Sequence, residues 1–117
     1  MKKVEAIIRQ EKLEELKAAL DQIDMAGMTV SQVLGCGNQK GVKEFVRGQA
    51  VITTLLPKVK ASFVVADEEV EAIIELILSI CHTGEVGDGK IFIYPIEEAV
   101  RIRTNERGYR RCKSRRF

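Results

Sequence analysis

A glycine-rich run that ends in a lysine has the residue types best suited to binding an anion. It reads Thr83-Gly84-Glu85-Val86-Gly87-Asp88-Gly89-Lys90. Glycines let several backbone N–H groups converge on one anion, and the lysine adds a positive charge. The spacing matches a phosphate-binding P-loop except at Ile91, where the pattern needs the Ser or Thr that holds Mg²⁺. The run therefore indicates phosphate binding without hydrolysis, and a glycine-rich structural turn is the alternative.

Two arginines near the C-terminal end could supply further charge to a phosphate. Arg101 and Arg103 are two residues apart on a segment that we expect to be extended, so both side chains are predicted to point to one face. Two guanidinium groups side by side suit a polyphosphate. A solvated edge strand with salt bridges is the alternative interpretation.

The sequence offers little for catalysis or for a metal centre. His82 is the only histidine, and the three cysteines, Cys36, Cys81 and Cys112, lack the spacing of a metal site. No serine lies in a nucleophile elbow. We therefore expect reduced thiols, a histidine at the end of a helix, and a protein that is not an enzyme. A second glycine motif, Gly35-Cys36-Gly37 with Gly41, differs from the dinucleotide fingerprint, and a flexible hinge is its alternative.

Length and charge predict one small domain in the cytoplasm. The chain has 117 residues and no apolar run near the roughly 20 residues that would span a bilayer. The net charge of the chain is +2, and six positive side chains lie between Arg107 and Arg116, so the rest of the chain carries a net charge of −4. The basic character therefore belongs to the tail, and the body lacks the basic surface of a nucleic-acid-binding protein.

Hydrophobic periodicity predicts an alternation of strands and helices. Period-2 segments predict strands, 3.6-residue periods predict helices, and residues 37–57 match neither pattern. Gly27 is expected to stop the first helix, and Asp67 to be the N-cap of the second. Strands are predicted over Val4–Arg9, Thr29–Leu34, Val59–Ala66, Lys90–Tyr94 and the extended Val100–Arg103, helices over Glu11–Asp24 and from Asp67 to Cys81, a ribbon within Val51–Leu56 interrupted by Pro57, and disorder after Asn105.

This order predicts an α+β fold of the ferredoxin-like βαββαβ type. The fold has a four-stranded antiparallel sheet with both helices on one face. The other face of such a sheet is uncovered. We therefore expect neighbouring subunits to bury it in an oligomer.

Several motifs together resemble the PII nitrogen regulatory proteins. The glycine-rich run with Ile91-Phe92-Ile93 closely resembles the C-terminal signature of that family, and the resemblance extends over residues 1 to about 108. Matching motifs are Met1-Lys2-Lys3-Val4-Glu5-Ala6-Ile7-Ile8-Arg9, Gly27-Met28-Thr29-Val30, Gln39-Lys40-Gly41, Leu56-Pro57-Lys58-Val59-Lys60 and Val100-Arg101-Ile102-Arg103-Thr104. The resemblance implies a PII domain over 1–108 with a T-loop at 37–57 and a B-loop at 82–90, followed by a basic, disordered tail at 109–117.

The resemblance also implies ligands. PII proteins are homotrimers in which ATP and ADP compete for three clefts between subunits. One subunit would supply Gly35, Gly37, Asn38, Gln39, Val64, Gly87, Asp88, Gly89 and Lys90, and its neighbour Thr29, Arg101 and Arg103. The second ligand is 2-oxoglutarate, which binds through Mg²⁺ beside ATP. Gln39 would ligate the metal and Lys58 would pair with a carboxylate of the oxo acid.

The implied output is regulation of nitrogen metabolism through the T-loop. The favoured partner is an Amt-type ammonium channel at the membrane, with Arg47 as the inserted residue. A soluble transcription factor or a nitrogen-assimilation enzyme is the alternative target, and a nucleotide-hydrolysing enzyme is the less favoured class. Three features depart from the family: Val51 excludes uridylylation of the usual loop tyrosine, Asn38 replaces a common arginine, and the basic tail is unusual.

Overall fold

The computed structural model describes residues 1–23, 27–35, 42–46, 49–53 and 55–108. The strands are β1 (Lys2–Ile8), β2 (Thr29–Gly35), β3 (Val42–Val46), β4 (Gln49–Thr53), β5 (Leu56–Val65) and β6 (Gly89–Pro95), and the helices are α1 (Leu13–Gln22) and α2 (Val70–Cys81). A short 3₁₀ turn precedes each helix, at Gln10–Lys12 and Asp67–Glu69. Within these ranges, no helix has the length and apolar character needed to cross a bilayer.

Four strands form one antiparallel sheet in the order β2-β5-β1-β6. In the centre of the sheet, Ala6 of β1 lies between Ala61 of β5 and Ile91 of β6. The two central strands are the first and the third of the four along the chain, as the ferredoxin-like arrangement requires. The predicted fold is therefore confirmed.

The helices cover one face of this sheet and form the core with it. Alternate residues of β1 and β5 are buried on this face, as the period-2 pattern predicts. The buried strand residues are Val4, Ala6, Ile8, Val59, Ala61, Phe63 and Val65, and the helices contribute Leu16, Leu20, Ile73, Ile77 and Cys81. Ile23 directly follows the last residue of α1 and is 51% exposed.

The ends of both helices differ from the prediction. Asp67 makes no capping bond, because a 3₁₀ turn that begins there separates it from α2. The Glu69 carboxylate instead accepts a hydrogen bond of 3.1 Å from the Ala66 N–H. At the other helix, α1 ends five residues before Gly27, whose φ of 64° places it in a left-handed turn just before β2.

A two-stranded ribbon occupies the middle of the segment predicted to be a long loop. Its strands β3 and β4 are antiparallel, with Val46 opposite Gln49. The predicted ribbon within 51–56 is partly right, since β4 ends at Thr53. The expected interruption at Pro57 is wrong, because Pro57 belongs to β5 and lies opposite Leu34. Pairing with β1 begins only at Val59, so Pro57 has one neighbouring strand, where proline is tolerated.

The segment after β6 forms a tight hairpin, and two predictions there are wrong. Val100 bridges to Arg107, and the intervening residues turn instead of extending. The Arg101 N–H donates to the Glu106 carbonyl at 2.8 Å, and the Asn105 N–H donates to the Arg101 carbonyl at 2.8 Å. The predicted extended segment 100–103 and the disorder directly after Asn105 are thus both corrected. The predicted tail 109–117 lies outside the described residues.

Candidate anion-binding site

The glycine-rich loop, residues 82–88, connects the end of α2 to the start of β6. This is the predicted context of a loop that follows a helix and opens a strand. Gly84, Gly87 and Gly89 have φ values of 87°, 105° and 107°, which side chains rarely adopt. A Cβ on Gly89 would also lie 1.7 Å from the Ile7 carbonyl oxygen. The loop can therefore keep this path against β1 only with glycine at position 89.

The carboxylate of Asp88 closes the loop from within. One oxygen accepts hydrogen bonds from the backbone N–H groups of Thr83 and Gly84, at 2.7 and 2.9 Å. The other accepts from the Thr83 hydroxyl at 2.5 Å. These bonds, led by that hydroxyl, hold the pKa of Asp88 far below its usual range. The Asp88 side chain is therefore used inside the loop, and the ligand-binding role of this residue stays a prediction.

Arg9 is a functional candidate that the sequence analysis missed. Its Nε donates to the Asp88 carboxylate at 3.1 Å, and its Nη2 donates to the Val86 carbonyl at 3.0 Å. Arg9 directly follows the last residue of β1. No local signal could pair it with a residue 79 positions later.

Lys58 lies against the same loop. Although most lysines are solvated, Lys58 is only 7% exposed, and its Nζ donates to the Gly87 carbonyl at 2.5 Å. Burial, followed by the nearby Arg9 charge, lowers the pKa of Lys58. The structure therefore brings two predicted site residues, Lys58 and Gly87, into direct contact.

Six predicted site residues lie in described strands, and one of them, Gly89, is opposite the buried Ile8. The other five share the uncovered face of the sheet. Cross-strand partners point to the same face of a sheet, so the register of the strands assigns each of these residues to the face without helices. They are Thr29 and Gly35 of β2, Lys58 and Val64 of β5, and Lys90 of β6. Val64 is six residues beyond Lys58, or about 20 Å along the strand. One chain therefore spreads these residues along the sheet instead of gathering them at the loop.

Arg101 and Arg103 do not share a face, so that prediction is wrong. The turn buries the Arg101 side chain, which is 6% exposed, while Arg103 is exposed. Among the described residues, the Nε and Nη2 atoms of Arg101 are buried and have no hydrogen-bond partner, and its Nη1 lies 4.0 Å from a carboxylate oxygen of Glu106. A buried guanidinium with two unused donors is costly, so an anionic ligand fits this position.

Four predicted residues lie outside the described part of the chain. They are Gly37, Asn38, the metal ligand Gln39 and the partner-binding Arg47. Among the residues that the structure does describe, no three His, Cys, Asp or Glu side chains cluster to hold a metal ion. The assignments of metal, nucleotide and oxo acid thus stay predictions.

Sequence comparison with known proteins identifies the family. The profile described as nitrogen regulatory protein P-II matches residues 1–106. The chain belongs to the P-II family. A P-II protein of Rhodospirillum rubrum is 53% identical over 108 residues, which cover 92% of this chain and 96% of the relative. Those of Nostoc punctiforme and Pasteurella multocida are 50% and 48% identical, over 92% and 91% of this chain and 96% and 95% of the relatives.

P-II membership confirms the resemblance found in the sequence. It also assigns the chain to nitrogen regulation, which is the role that the family description names. The profile match stops at residue 106, within the hairpin that follows β6. The boundary of the P-II domain at 108 stays a prediction.

Proposed function

We propose that this P-II protein binds ATP or ADP in clefts between the subunits of a homotrimer and signals by binding, without catalysis. The buried Arg101 guanidinium with two unpaired nitrogens is the observation that carries this proposal. It supports a site for an anion that the described residues do not supply. The glycine-rich loop is the second anion-binding element in the fold.

The glycine-rich loop and the hairpin that holds Arg101 lie at opposite ends of β6. Gly89, beside the loop, is opposite Ile8, whereas Pro95, which leads to the hairpin, is opposite Lys2. A nucleotide that uses both elements is therefore best placed between two copies of the chain. One subunit supplies the loop backbone with Lys90, and its neighbour supplies Arg101 with Arg103. This division favours a shared site.

Exposed apolar side chains favour the oligomer independently. Phe92 and Tyr94 lie on the sheet face that the helices leave open, and both are 42% exposed. Ile102, at the turn of the hairpin, is 98% exposed. Side chains of this kind mark association surfaces. The homotrimer would bury them against neighbouring subunits.

The second ligand is 2-oxoglutarate, bound with Mg²⁺ beside the nucleotide. A dicarboxylate needs a cation, and the buried Lys58 ammonium at Gly87 is well placed to pair with one carboxylate. Gln39 is the proposed metal ligand. The metal would bridge the oxo acid to the phosphates.

The output segment is the T-loop, residues 37–57, and the target is an Amt-type ammonium channel with Arg47 as the contact. This binding would bring the cytoplasmic protein to the membrane. A ligand that prefers one conformer of the loop would select it and so alter target binding. Co-purification from membrane and soluble fractions decides between a channel and a soluble transcription factor or enzyme. Capture only in the soluble fraction would contradict the channel.

Isothermal titration of the purified protein tests the sensor. We expect heat on adding Mg-ATP or ADP, and heat on adding 2-oxoglutarate only when Mg-ATP is present. Arg101→Met should reduce nucleotide heat, whereas Lys17→Met, at an exposed position on α1, should not. No nucleotide heat at millimolar ligand would overturn the proposal. A 2-oxoglutarate signal that needs neither nucleotide nor Mg²⁺ would overturn the shared site alone.

A further inference from the structure

We infer that Arg9 is a positioning residue of the nucleotide loop, where it cancels the charge of Asp88 so that the loop can hold a polyphosphate. This inference rests on the proposed nucleotide site. It assigns a role to an ion pair that the site does not otherwise explain. Arg9 acts through Asp88 and the loop backbone, without contact to the ligand.

Asp88 must be a carboxylate for the loop to close as it does. Its Oδ2 accepts from two backbone N–H groups, and its Oδ1 accepts from the Thr83 hydroxyl and from the Arg9 Nε. An asparagine would present an NH₂ group on one side, which would face donors instead of acceptors. Both oxygens are therefore needed to hold the loop.

The negative charge of the Asp88 carboxylate would repel a phosphate bound nearby. It sits inside a loop whose following residues, Gly89 and Lys90, are proposed to bind a ligand with several negative charges. Like charges at close range repel, and a partly shielded site screens this repulsion only in part. A loop that is closed by a carboxylate needs a compensating cation.

Arg9 has the geometry to compensate. Its guanidinium bonds to the Asp88 carboxylate through Nε and to the Val86 carbonyl through Nη2, so one planar group holds two points of the loop. Its side chain and that of Asp88 are 21% and 23% exposed, so water screens the pair only partly.

The neighbouring cations do not replace Arg9. The Lys58 ammonium is hydrogen-bonded to the Gly87 carbonyl, at 2.5 Å. The His82 Nδ1 lies 3.9 Å from Asp88, and its side chain is 66% exposed. Glu11 lies near Lys58 and contributes negative charge. Among the described residues, Arg9 is the cation that contacts Asp88 most closely.

The test compares the affinities of ATP, ADP and AMP by isothermal titration of the full-length chain. Arg9→Gln should weaken ATP binding at least tenfold, ADP binding less, and AMP binding less than threefold, because the penalty grows with ligand charge. Arg9→Lys keeps the charge but not the two-point contact, so it should weaken ATP binding clearly less than Arg9→Gln does. Lys17→Gln, at an exposed position on α1, is the control for removal of a cation.

Each outcome has a definite meaning. An equal loss for ATP and AMP in Arg9→Gln would show a purely structural role and overturn the inference. A loss of ATP affinity in Arg9→Lys as large as that in Arg9→Gln would also overturn the inference. If Arg9→Gln does not fold, the Arg9→Lys variant still allows the test. Unchanged ATP binding in Arg9→Gln would overturn the inference alone. A wild type that binds no adenine nucleotide would overturn the proposed function together with it.

Discussion

The Lys58 ammonium donates a hydrogen bond to the Gly87 carbonyl at 2.5 Å, across 29 residues of sequence. This contact joins β5 to the glycine-rich loop. Lys58 is also the residue proposed to pair with 2-oxoglutarate. A ligand carboxylate that takes the ammonium would compete with the Gly87 carbonyl for it. Under this proposal, the oxo acid and the loop backbone would be coupled through one side chain.

Lys58→Met should abolish 2-oxoglutarate binding while leaving ATP affinity within about fivefold. The methionine keeps the buried stem but removes the donor, so the dicarboxylate loses its cation and the Gly87 carbonyl loses a partner. Titration of 2-oxoglutarate into protein saturated with Mg-ATP checks this. Lys60→Met is the matched control, since Lys60 lies two residues after Lys58 in β5 and on the same face of the sheet. Full 2-oxoglutarate binding by Lys58→Met would contradict the role of Lys58.

Arg101→Met should remove nucleotide-induced stabilisation without lowering the stability of the ligand-free protein. Within the described part of the chain, two guanidinium nitrogens are buried without partners, and an apolar side chain of similar length removes the desolvation cost of these unsatisfied donors. ATP at 100 times its dissociation constant should stabilise the wild type by about 2.7 kcal/mol. Thermal unfolding with and without ATP measures both effects. Arg107→Met, in the same hairpin but exposed, is the control, and a variant that ATP still stabilises fully would refute the prediction.

Gly89→Ala should destabilise the fold by more than about 3 kcal/mol, because the new methyl group would overlap the Ile7 carbonyl and φ is 107°. Gly84→Ala shares the positive φ but meets no atom within 4 Å, so it should cost only about 1–2 kcal/mol. Urea unfolding of both variants gives the comparison. Equal losses would show that contact with β1 is not the decisive cost.

Acid should weaken the loop through Asp88. The pKa of this carboxyl is held below its unfolded value of about 3.9 by the Thr83 and Gly84 donors and by Arg9. The contribution of Asp88 to stability is therefore complete above about pH 5, and it is lost progressively as the pH falls through the pKa that Asp88 has in the folded protein. The difference in unfolding free energy between wild type and Asp88→Asn should be largest near pH 7 and shrink below pH 4. A difference that stays constant over this range would contradict the assignment.

Ile102→Asp should dissociate the proposed trimer without unfolding the subunit. The side chain is 98% exposed within one chain, so a charge there costs the isolated subunit little. In the assembly, the same charge would be buried or would face an apolar neighbour. Sedimentation velocity measures the mass, and circular dichroism checks the fold. Leu78→Asp, at an exposed position on α2, is the control, and a trimer that survives Ile102→Asp would place the interface elsewhere.

The fold was predictable because local patterns determine most of it. Alternation around Val4 and Ala6 and the helical stripe through Ile73 and Ile77 each show which face is buried, and these faces meet in the core. The glycine-rich loop was also predictable, because its residues are contiguous and carry their own conformational signal.

The parts that failed depend on contacts between distant residues. Val100-Arg101-Ile102-Arg103 alternates like a strand, yet Ile102 faces solvent and Asn105, at a φ of 62°, turns the chain back. The burial of Lys58 and the contact of Arg9 with Asp88 need the register of three strands, which no local window contains. Sequence periodicity alone cannot supply such pairs.

The ribbon of β3 and β4 is inserted between two residues that the sheet already holds opposite each other. Gly35 ends β2, Leu56 begins β5, and the two are paired. Because the sheet already holds both ends of the insertion together, the insertion adds only the entropy cost of closing its own loop. This cost grows only slowly with the length of the insertion. A target contact made by this insertion, as proposed above, would accordingly be free to change by mutation without altering the core or the glycine-rich loop. The fold would then separate the evolution of the target contact from that of the proposed ligand site.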